Sequence, residues 1–433
     1  MRWFKLGDGI LLVMGLFSVA VFLSGDWPAP STDPLYWFHW CGRLVGVIGL
    51  TLLLLAAVLS IRLPRLDLMF GGLPRLWTIH RLIGFLGFVA VLLHAWLLGF
   101  ATVARGRTMS LNGLFPDWSD WSDWPVWAGW AALLLMVVFL APTFQFFGRL
   151  NYQRWKRLHL LSAPALLLAL MHTLPLADHT WVWWLLGALS FGAIIWRKGL
   201  SPHLGRTSWE VTEVRQLKHD VVEICLKPLS ESLRYSAGQF VYLTPRVPGL
   251  SAGNREEHPY TIASSPSDSL LRLGIKDLGD ASHALQTVPP GSRIEIEGPY
   301  GDFYLRHYPR RNQLWFGGGI GITPFVSGAR AMLDDTSDTS VHLFYLSQDE
   351  HRSYYLEELQ AIAREQPRFD ITAHHFYVQG ALTLAFLEDY CPDFRDREVY
   401  LCGPPGMVSH LKPLLRKAGM AADAIHSEVF DFL

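Results

Sequence analysis

The chain has 433 residues and a formal net charge of −1; half of its residues are hydrophobic and only 17% are charged. Soluble globular domains carry about 25% charged residues, so part of this chain is predicted to lie in lipid. The near-zero net charge argues against a general electrostatic affinity for nucleic acid. The four cysteines are far apart and include no CxxC pair, which argues against a zinc ribbon, a plant-type iron–sulfur site and a disulfide framework.

Six apolar stretches in the first 200 residues are long enough to cross about 30 Å of hydrocarbon. The first stretch also has the basic start and apolar core of a secretory signal, but it lacks a clear small-residue cleavage site and further spans follow it. The sequence therefore predicts an α-helical membrane bundle of six spans. The predicted spans are residues 8–24, 36–61, 77–103, 126–147, 158–175 and 181–196.

The loops between these spans differ in charge between the two sides of the membrane. Residues 61–75, 147–157 and 196–206 are rich in Lys and Arg, whereas the loops on the other side are acidic and aromatic, with two arginines as the exception. By the positive-inside rule, both termini and everything after residue 197 are predicted to be cytoplasmic.

Four histidines lie inside the third and fifth predicted spans, where an ionisable side chain is costly and therefore indicates function. Both spans run outward from the cytoplasm, so His80 is level with His159, and His94 with His172. About 20 Å of helix rise separates the two levels. Two helices that offer imidazoles at matching depths can hold two stacked haems by bis-histidine ligation. Satisfied polar groups, or a proton or metal-ion relay, are the alternatives.

Helical phase tests this haem interpretation. His80 and His94 are 14 residues apart, which keeps them on one face of a helix. His159 and His172 are 13 residues apart, which in a straight helix places them about 140° apart. Pro164 lies between them and can kink the helix.

At these positions the chain resembles the ferric reductase transmembrane domain that metalloreductases and NADPH oxidases share. That family has six helices, with a histidine pair 14 residues apart on the third and 13 apart on the fifth, as here. The resemblance implies that His80, His94, His159 and His172 ligate two b-type haems. It also implies that Arg43 lies near the outer haem propionates or the electron acceptor; an interfacial arginine that snorkels is the alternative.

After residue 205 the pattern changes to that of a soluble protein. Strand-like alternation bounded by Gly and Pro is followed, from about residue 310, by apolar strands that alternate with helices. We predict a six-helix di-haem domain over 1–200, an FAD-binding β-barrel domain over 205–310, and an α/β Rossmann-like NAD(P)H-binding domain over 311–433.

The cofactors of the last two domains are implied by a resemblance of HPYTIASSP and GDAS to flavin-binding segments of the ferredoxin–NADP reductase superfamily, in its membrane reductase branch. This resemblance covers essentially all of residues 205–433. A flat phenol ring would pack on the isoalloxazine, a hydroxyl would reach its polar edge, and a cation with free backbone amides would hold the pyrophosphate. The residues implied to bind FAD are His258, Pro259, Tyr260, Thr261, Lys276, Gly279 and Ser282.

The glycine-rich segment GGGIGITP follows a predicted strand and precedes a predicted helix, as a pyrophosphate-binding loop does. With EGPYGDF before it and YLCGPPGM after it, in the family's order, the segment implies an NAD(P)H site. Cys402 is expected to help place the hydride, with a small buried residue at a strand end as the alternative. Phe430 is expected to shield the flavin ring, with Phe432 as the second choice. The residues implied to bind the nucleotide are Gly317, Gly318, Gly319, Gly321, Thr323, Pro324, Gly403 and Pro404.

Candidate contacts for the 2′-phosphate and for the acceptor are less specific. Ser347 and Arg352 favour NADPH over NADH, although two acidic residues lie between them. His39 and His179, near the predicted outer surface, could receive a ferric or cupric chelate; loop histidines without a function are the alternative. The acidic aromatic loop could cap the outer haem or dock a partner protein; its acidic residues are Asp117, Asp120 and Asp123.

These resemblances imply an NAD(P)H-dependent flavocytochrome b oxidoreductase in a bacterial inner membrane, with its flavin and nucleotide domains cytoplasmic. Electrons would pass from NADPH or NADH through FAD and two haem b groups to an outer-face acceptor, for which a ferric or other metal chelate is predicted. The alternatives are an NADPH oxidase that makes superoxide, an electron donor to a periplasmic redox protein and, in another class, a proton or metal transporter. Leu98 stands where oxygen-reducing relatives commonly have a second histidine, which argues against superoxide production.

Overall fold

The computed structural model describes residues 5–63, 66–104, 121–143, 152–303, 312–334 and 338–428. The chain forms two compact units, one ending at Leu204 and the other beginning at Gly205. Several residues named from the sequence lie outside the described ranges: Phe430, Phe432, Asp117 and Asp120. The predicted boundary at residue 310 also lies outside them.

The first unit is built of helices. Five helical stretches among the described residues have the length and hydropathy of a membrane span, and they coincide with the first five predicted spans: Leu6–Gly25, Pro34–Val58, Leu73–Thr102, Trp121–Thr143 and Gln153–Leu176. The α-helices are α1 (Leu6–Gly25), α2 (Pro34–Val58), α3 (Leu73–Ala104), α4 (Trp124–Leu140), α5 (Tyr152–Leu158), α6 (Ser162–Thr173), α7 (Thr180–Ile195) and α8 (Ser201–Leu204).

The sixth predicted span corresponds to α7, which has 16 residues. A helix of that length covers roughly 24 Å, less than the hydrocarbon core of about 30 Å. A π-helical turn at Trp196–Leu200 continues it. The sixth span therefore stays a prediction.

The helices of the first unit pack mainly in two pairs, α2 against α3 and α4 against α6, while α7 also contacts α2. The core between them includes Leu54, Phe88, Met136, Leu166 and Trp183. The outer surface exposes large apolar side chains such as Leu12, Val13, Leu134 and Trp184. A continuous apolar exterior of this kind suits lipid.

The second unit begins with a barrel. Its strands are β1 (Arg206–Lys218), β2 (Val221–Pro228), β3 (Phe240–Pro245), β4 (His258–Thr261), β5 (Leu271–Lys276) and β6 (Arg293–Tyr300). They pair antiparallel in the order β4-β3-β6-β1-β2-β5. A bridge between Ile262 and Leu273 joins the two edges, so the sheet closes around an apolar core. One short helix, α9 (Asp280–Leu285), follows β5.

The remainder of the second unit is a five-stranded parallel sheet with helices. Its strands are β7 (Gln313–Gly318), β8 (Val341–Ser347), β9 (Phe369–His375), β10 (Glu398–Cys402) and β11 (Ile425–Glu428). Their order is β11-β10-β7-β8-β9, so the chain runs outward in both directions from β7 and leaves a crevice at the carboxyl ends of β7 and β10. The helices are α10 (Thr323–Met332), α11 (Leu356–Glu365), α12 (Phe376–Gln379), α13 (Leu384–Tyr390) and α14 (Pro405–Lys417).

Candidate functional site

The structure brings the four membrane histidines together as two pairs. The ring centroids of His80 and His159 are 6.2 Å apart, and those of His94 and His172 are 6.0 Å apart. Two imidazoles that bind one metal ion from opposite sides have centroids about 6 Å apart, because each metal–nitrogen bond is about 2 Å long and the nitrogen lies about 1 Å from its ring centroid. Both pairs therefore have the separation of a bis-histidine metal centre.

Backbone carbonyl groups hold three of these four rings through Nδ1. The contacts are His80 to the Ala56 carbonyl at 2.7 Å, His94 to Gly42 at 2.8 Å and His172 to Pro125 at 2.8 Å. A carbonyl oxygen only accepts hydrogen bonds, so Nδ1 carries the proton in each ring and Nε2 keeps a lone pair for a metal ion. Among the described residues no group of three or more His, Cys, Asp or Glu side chains could hold a metal ion, so the pairs are the arrangement offered.

His159 differs from the other three histidines. Its buried Nδ1 has no hydrogen-bond partner within the described part of the chain, and the rings of Trp155 and Phe139 pack 5.1 and 5.2 Å from it. It lies on a 3₁₀ turn, His159–Leu161, between α5 and α6. Each 3₁₀ residue turns about 20° further than an α-helical one, so this turn reduces the phase difference from His172 that a straight helix would impose.

The end of α2 that the sequence places outside carries an ionic cluster. The Arg43 guanidinium lies 3.0 Å from the Asp26 carboxylate and 3.9 Å from that of Asp178. Leu98, at the position where a second histidine was considered, packs against α2, because a Cβ on Gly42 would lie 2.8 Å from its side chain. Leu98 is therefore a packing residue of the α2–α3 contact.

The predicted flavin segment is strand β4, which pairs with β3 along its whole length. Alternate side chains of a strand face opposite sides, so His258 and Tyr260 share one side, and Pro259 and Thr261 the other. Burial raises the pKa of the Tyr260 phenol, which keeps this ring neutral. His258 Nε2 lies 3.4 Å from the carboxylate of Glu256.

The predicted pyrophosphate contacts are partly engaged within the protein. Lys276 Nζ lies 3.6 Å from the Asp220 carboxylate and 5.6 Å from the ring centroid of Tyr354, in the α/β part of the unit. The Ser282 hydroxyl accepts the backbone N–H of Gly279 at 3.0 Å, which shapes the loop before α9. The structure therefore places Lys276 towards the nucleotide-binding part as well as near the GDAS loop.

The predicted nucleotide loop and the CGPP segment meet at the carboxyl ends of β7 and β10. Cys402 is aligned with Gly317 in the sheet, and a Cβ on Gly321 would lie 2.7 Å from both the Cys402 oxygen and Gly403 Cα. Only glycine permits that approach. The same crevice, where open α/β sheets bind ligands, contains Gly318, Gly319, Thr323, Pro324 and Pro404.

A buried thiol and a buried carboxyl group end the neighbouring strands β10 and β11, where Cys402 is aligned with Glu428. Burial raises the pKa of the Cys402 thiol well above its usual value. Burial, and then the nearby charge of Asp302, raises the pKa of Glu428 to about 8. Both groups are therefore mainly neutral at pH 7. Sequence reasoning did not single out Glu428; the available signal was its place two residues before Phe430, which was expected to shield the flavin ring.

The region proposed to contact a 2′-phosphate has its own network. The Ser347 hydroxyl is bonded to His375 Nδ1 at 2.8 Å and to the Ser353 hydroxyl at 2.9 Å. The Asp349 side chain accepts the Arg352 backbone N–H at 3.0 Å, while the Arg352 side chain is exposed. Arg352 is thus the more accessible of the two residues that favour NADPH.

Three family descriptions match the chain in succession. Residues 45–170 match "Ferric reductase like transmembrane component", residues 206–303 match "FAD-binding domain", and residues 316–412 match "Oxidoreductase NAD-binding domain". The second match lies in the barrel and the third in the parallel-sheet part.

About half of the chain is similar to reductase components of bacterial oxygenases. It is 28% identical over 232 residues to the ferredoxin–NAD(P)+ reductase component of the naphthalene 1,2-dioxygenase/salicylate 5-hydroxylase systems of Ralstonia sp, covering 51% of this chain and 67% of that protein. It is 33% identical over 230 residues to the ferredoxin reductase component of 3-ketosteroid-9-alpha-monooxygenase of Mycolicibacterium smegmatis, covering 52% and 63%. The chain thus spans about two thirds of the length of these curated relatives.

Among solved structures, the chain is similar to the flavohem-like FAD/NAD-binding domain of nitric oxide dioxygenase from Vibrio cholerae. The identity is 23% and the TM-score 0.46, with 52% of this chain and 98% of that chain covered.

Proposed function

The chain has the domain architecture of the ferric reductase and NADPH oxidase family, and from this premise we propose that it carries electrons from NAD(P)H across a membrane. It is an oxidoreductase with FAD-binding and NAD-binding domains joined to apolar helices, as the sequence predicted. The finer proposal is a route through FAD and two bis-histidine b-type haems to a ferric or other metal chelate on the outer face.

The observation that carries the proposal is the pairing of the imidazoles at two levels, with centroids 6.2 and 6.0 Å apart. Three of the four rings have a proton fixed on Nδ1 by a backbone carbonyl, which leaves Nε2 to a metal ion. The fourth, His159, has a buried Nδ1 without a partner in the described ranges. When bound, FAD and haem supply the conversion of a two-electron hydride into single electrons.

In the second unit, the chain's own residues position the nucleotide and exclude water. The close approach of Gly321 to Cys402 and Gly403 shapes the crevice for a pyrophosphate and a nicotinamide. Cys402 and Glu428 present buried, mainly neutral groups at its end. Phe430 follows Glu428 by two residues and is proposed to cover the flavin ring.

The direction of transfer and the domain limits belong to the same proposal. The basic loops favour a cytoplasmic second unit in a bacterial inner membrane, with domains over 1–200, 205–310 and 311–433. The exposed Arg352 favours NADPH. Two histidine ligands per haem would leave no open position for the acceptor, which would then be reduced at the haem edge. Leu98, at the position where oxygen-reducing relatives commonly have a histidine, favours a chelate over oxygen as the acceptor.

The acceptor is tested on the full-length protein in detergent. The protein is reduced anaerobically with NADPH, and reoxidation of the haem absorbance is then followed after adding ferric chelate, oxygen or a quinone. We expect ferric chelate to reoxidise the protein fastest. Leu98→His, which adds a histidine at the packed position, serves as a comparison and should increase the rate with oxygen. Faster reoxidation of the wild type by oxygen than by chelate would identify an oxidase instead.

A further inference from the structure

Two glycines, one on α2 and one on α4, lie directly against the rings of one histidine pair. A Cβ added to Gly46 on α2 would lie 2.5 Å from His94 Nδ1, and one added to Gly129 on α4 would lie 2.8 Å from His172 Nδ1. Non-bonded carbon atoms prefer separations of about 3.5–4.0 Å. Any residue other than glycine at these positions must therefore displace the imidazole.

The same backbone arrangement recurs at both sites. His94 Nδ1 donates to the carbonyl of Gly42, four residues before Gly46. His172 Nδ1 donates to the carbonyl of Pro125, four residues before Gly129. In an α-helix, that carbonyl also accepts the N–H of the residue four positions later. To reach the carbonyl of Gly42 or Pro125, the imidazole must pass over Gly46 or Gly129. Because glycine has no Cβ, the ring has the space to do so.

The other histidine pair is held without a glycine. His80 Nδ1 donates to the carbonyl of Ala56, two residues before α2 ends at Val58. The last carbonyls of a helix have no donor within the helix, so a side chain reaches them without crowding. His159 Nδ1 has no partner among the described residues. Within the described ranges, the glycine arrangement therefore occurs at the pair that contains His94 and His172.

We propose that Gly46 and Gly129 are positioning residues that seat His94 and His172 for haem ligation, an inference that rests on the proposed function. Each glycine lets a backbone carbonyl fix the tautomer and the orientation of the ring. A ligand whose Nδ1–H is hydrogen-bonded is also more basic, which lowers the midpoint potential of its metal. Substitution of either glycine should therefore release the haem or raise its midpoint potential.

Helix packing alone is the competing explanation, because glycines also line the α2–α3 contact. Two other glycines separate the explanations, since they crowd the same helices without touching a histidine. A Cβ on Gly87 of α3 would lie 2.9 Å from Leu53 Cγ on α2. A Cβ on Gly187 of α7 would lie 2.9 Å from Leu170 Cδ1 on α6.

The test uses the full chain with Gly46→Ala or Gly129→Ala, and Gly87→Ala and Gly187→Ala as matched controls. Alanine is a better helix former than glycine, so a loss cannot come from helix propensity. Haem per polypeptide and the two midpoint potentials are measured. We expect Gly46→Ala and Gly129→Ala each to lose one of the two haems, or to raise the midpoint potential of one haem and leave that of the other unchanged. The control variants should keep both.

Three results would contradict the proposed roles of Gly46 and Gly129. The first is that both Gly46→Ala and Gly129→Ala keep the haem content and midpoint potentials of the wild type. The second is that these two variants and the control variants lose equal amounts of haem. The third concerns the case in which Gly46→Ala fails to accumulate. The double variant Gly46→Ala/His94→Ala is then expected to accumulate like His94→Ala alone, because it lacks the ring that the added Cβ would contact. Failure of the double variant would show that the defect does not involve the imidazole. A wild-type protein without haem would refute the proposed function itself, which is a separate outcome.

Discussion

Two sets of buried polar groups, one in each unit, are satisfied by different kinds of partner. In the membrane unit, His94 and His172 donate to backbone carbonyls, and the Ser190 hydroxyl on α7 donates to the Leu54 carbonyl on α2 at 2.9 Å. In the second unit, buried polar groups form ion pairs around Arg330. Where water is absent, an uncharged backbone acceptor satisfies a polar group without burying a charge. Substitutions at these positions of the membrane unit should therefore act through shape, and those around Arg330 through unpaired charge.

The Arg330 network joins α10 to the barrel. Its guanidinium donates to Glu358 at 2.6 Å, to Glu223 at 3.0 Å and to the Ala263 carbonyl at 3.0 Å. Arg330 is 7% exposed and Glu223 is fully buried. The ring of Tyr355 lies 5.5 Å from the guanidinium. The network fixes the nucleotide-binding part on the flavin-binding part.

The largest expected effect is at this network. Arg330→Met removes the nearest cation from the buried Glu223 carboxylate and leaves, among the described residues, only Arg215 at 3.7 Å and Arg272 at 4.0 Å within ion-pair distance. Breaking a buried pair costs about 3–5 kcal/mol. We expect that loss in the free energy of unfolding of the second unit, followed by chemical denaturation of the full chain. Arg215→Met is the control, because Arg215 is 46% exposed and lies 3.7 Å from Glu223; it should cost less than about 1 kcal/mol. Equal effects of the two variants would show that burial does not set the energy.

Glu428 gives the next largest effect, and that effect depends on pH. Its pKa in the folded protein is about 8, above the value of about 4.3 in an unfolded chain. Between these values the folded state binds more protons, so stability falls as pH rises from about 4 to about 8. Glu428→Gln removes the titration, and its free energy of unfolding should exceed that of the wild type by a few kcal/mol at pH 8 and match it near pH 4. Parallel pH profiles of the two proteins would contradict the raised pKa.

The smallest expected effect is in the membrane unit. The Ser190 hydroxyl shares its one proton between the Leu186 carbonyl of its own helix at 2.6 Å and the Leu54 carbonyl of α2 at 2.9 Å. Ser190→Ala removes this shared bond, and hydrogen bonds between membrane helices contribute about 0.6 kcal/mol on average. Ser24→Ala removes only an exposed bond to the Val21 carbonyl of its own helix and should have no measurable effect. Both are measured by thermal unfolding in detergent. If Ser190→Ala lowered the stability as much as Arg330→Met, the burial of charge would not explain the difference between these two sites.

The sequence predicted what depends on local pattern. Apolar length located five spans within a few residues, and the motif order located the crevice that contains Gly321 and Cys402. It did not predict the 3₁₀ turn at His159, because a straight helix was assumed. Gly46 and Gly129 carried no clear local signal, since their roles depend on which helix lies opposite.

The paired histidines are tested most directly by the haem content of the full chain. We predict two haems per polypeptide in the wild type and one in His94→Ala or His172→Ala, with the remaining haem still reduced by NADPH under anaerobic conditions. His179→Ala, next to the Asp178 of the Arg43 cluster, should keep both haems. Full haem content in both ligand variants, or no haem in the wild type, would contradict the account.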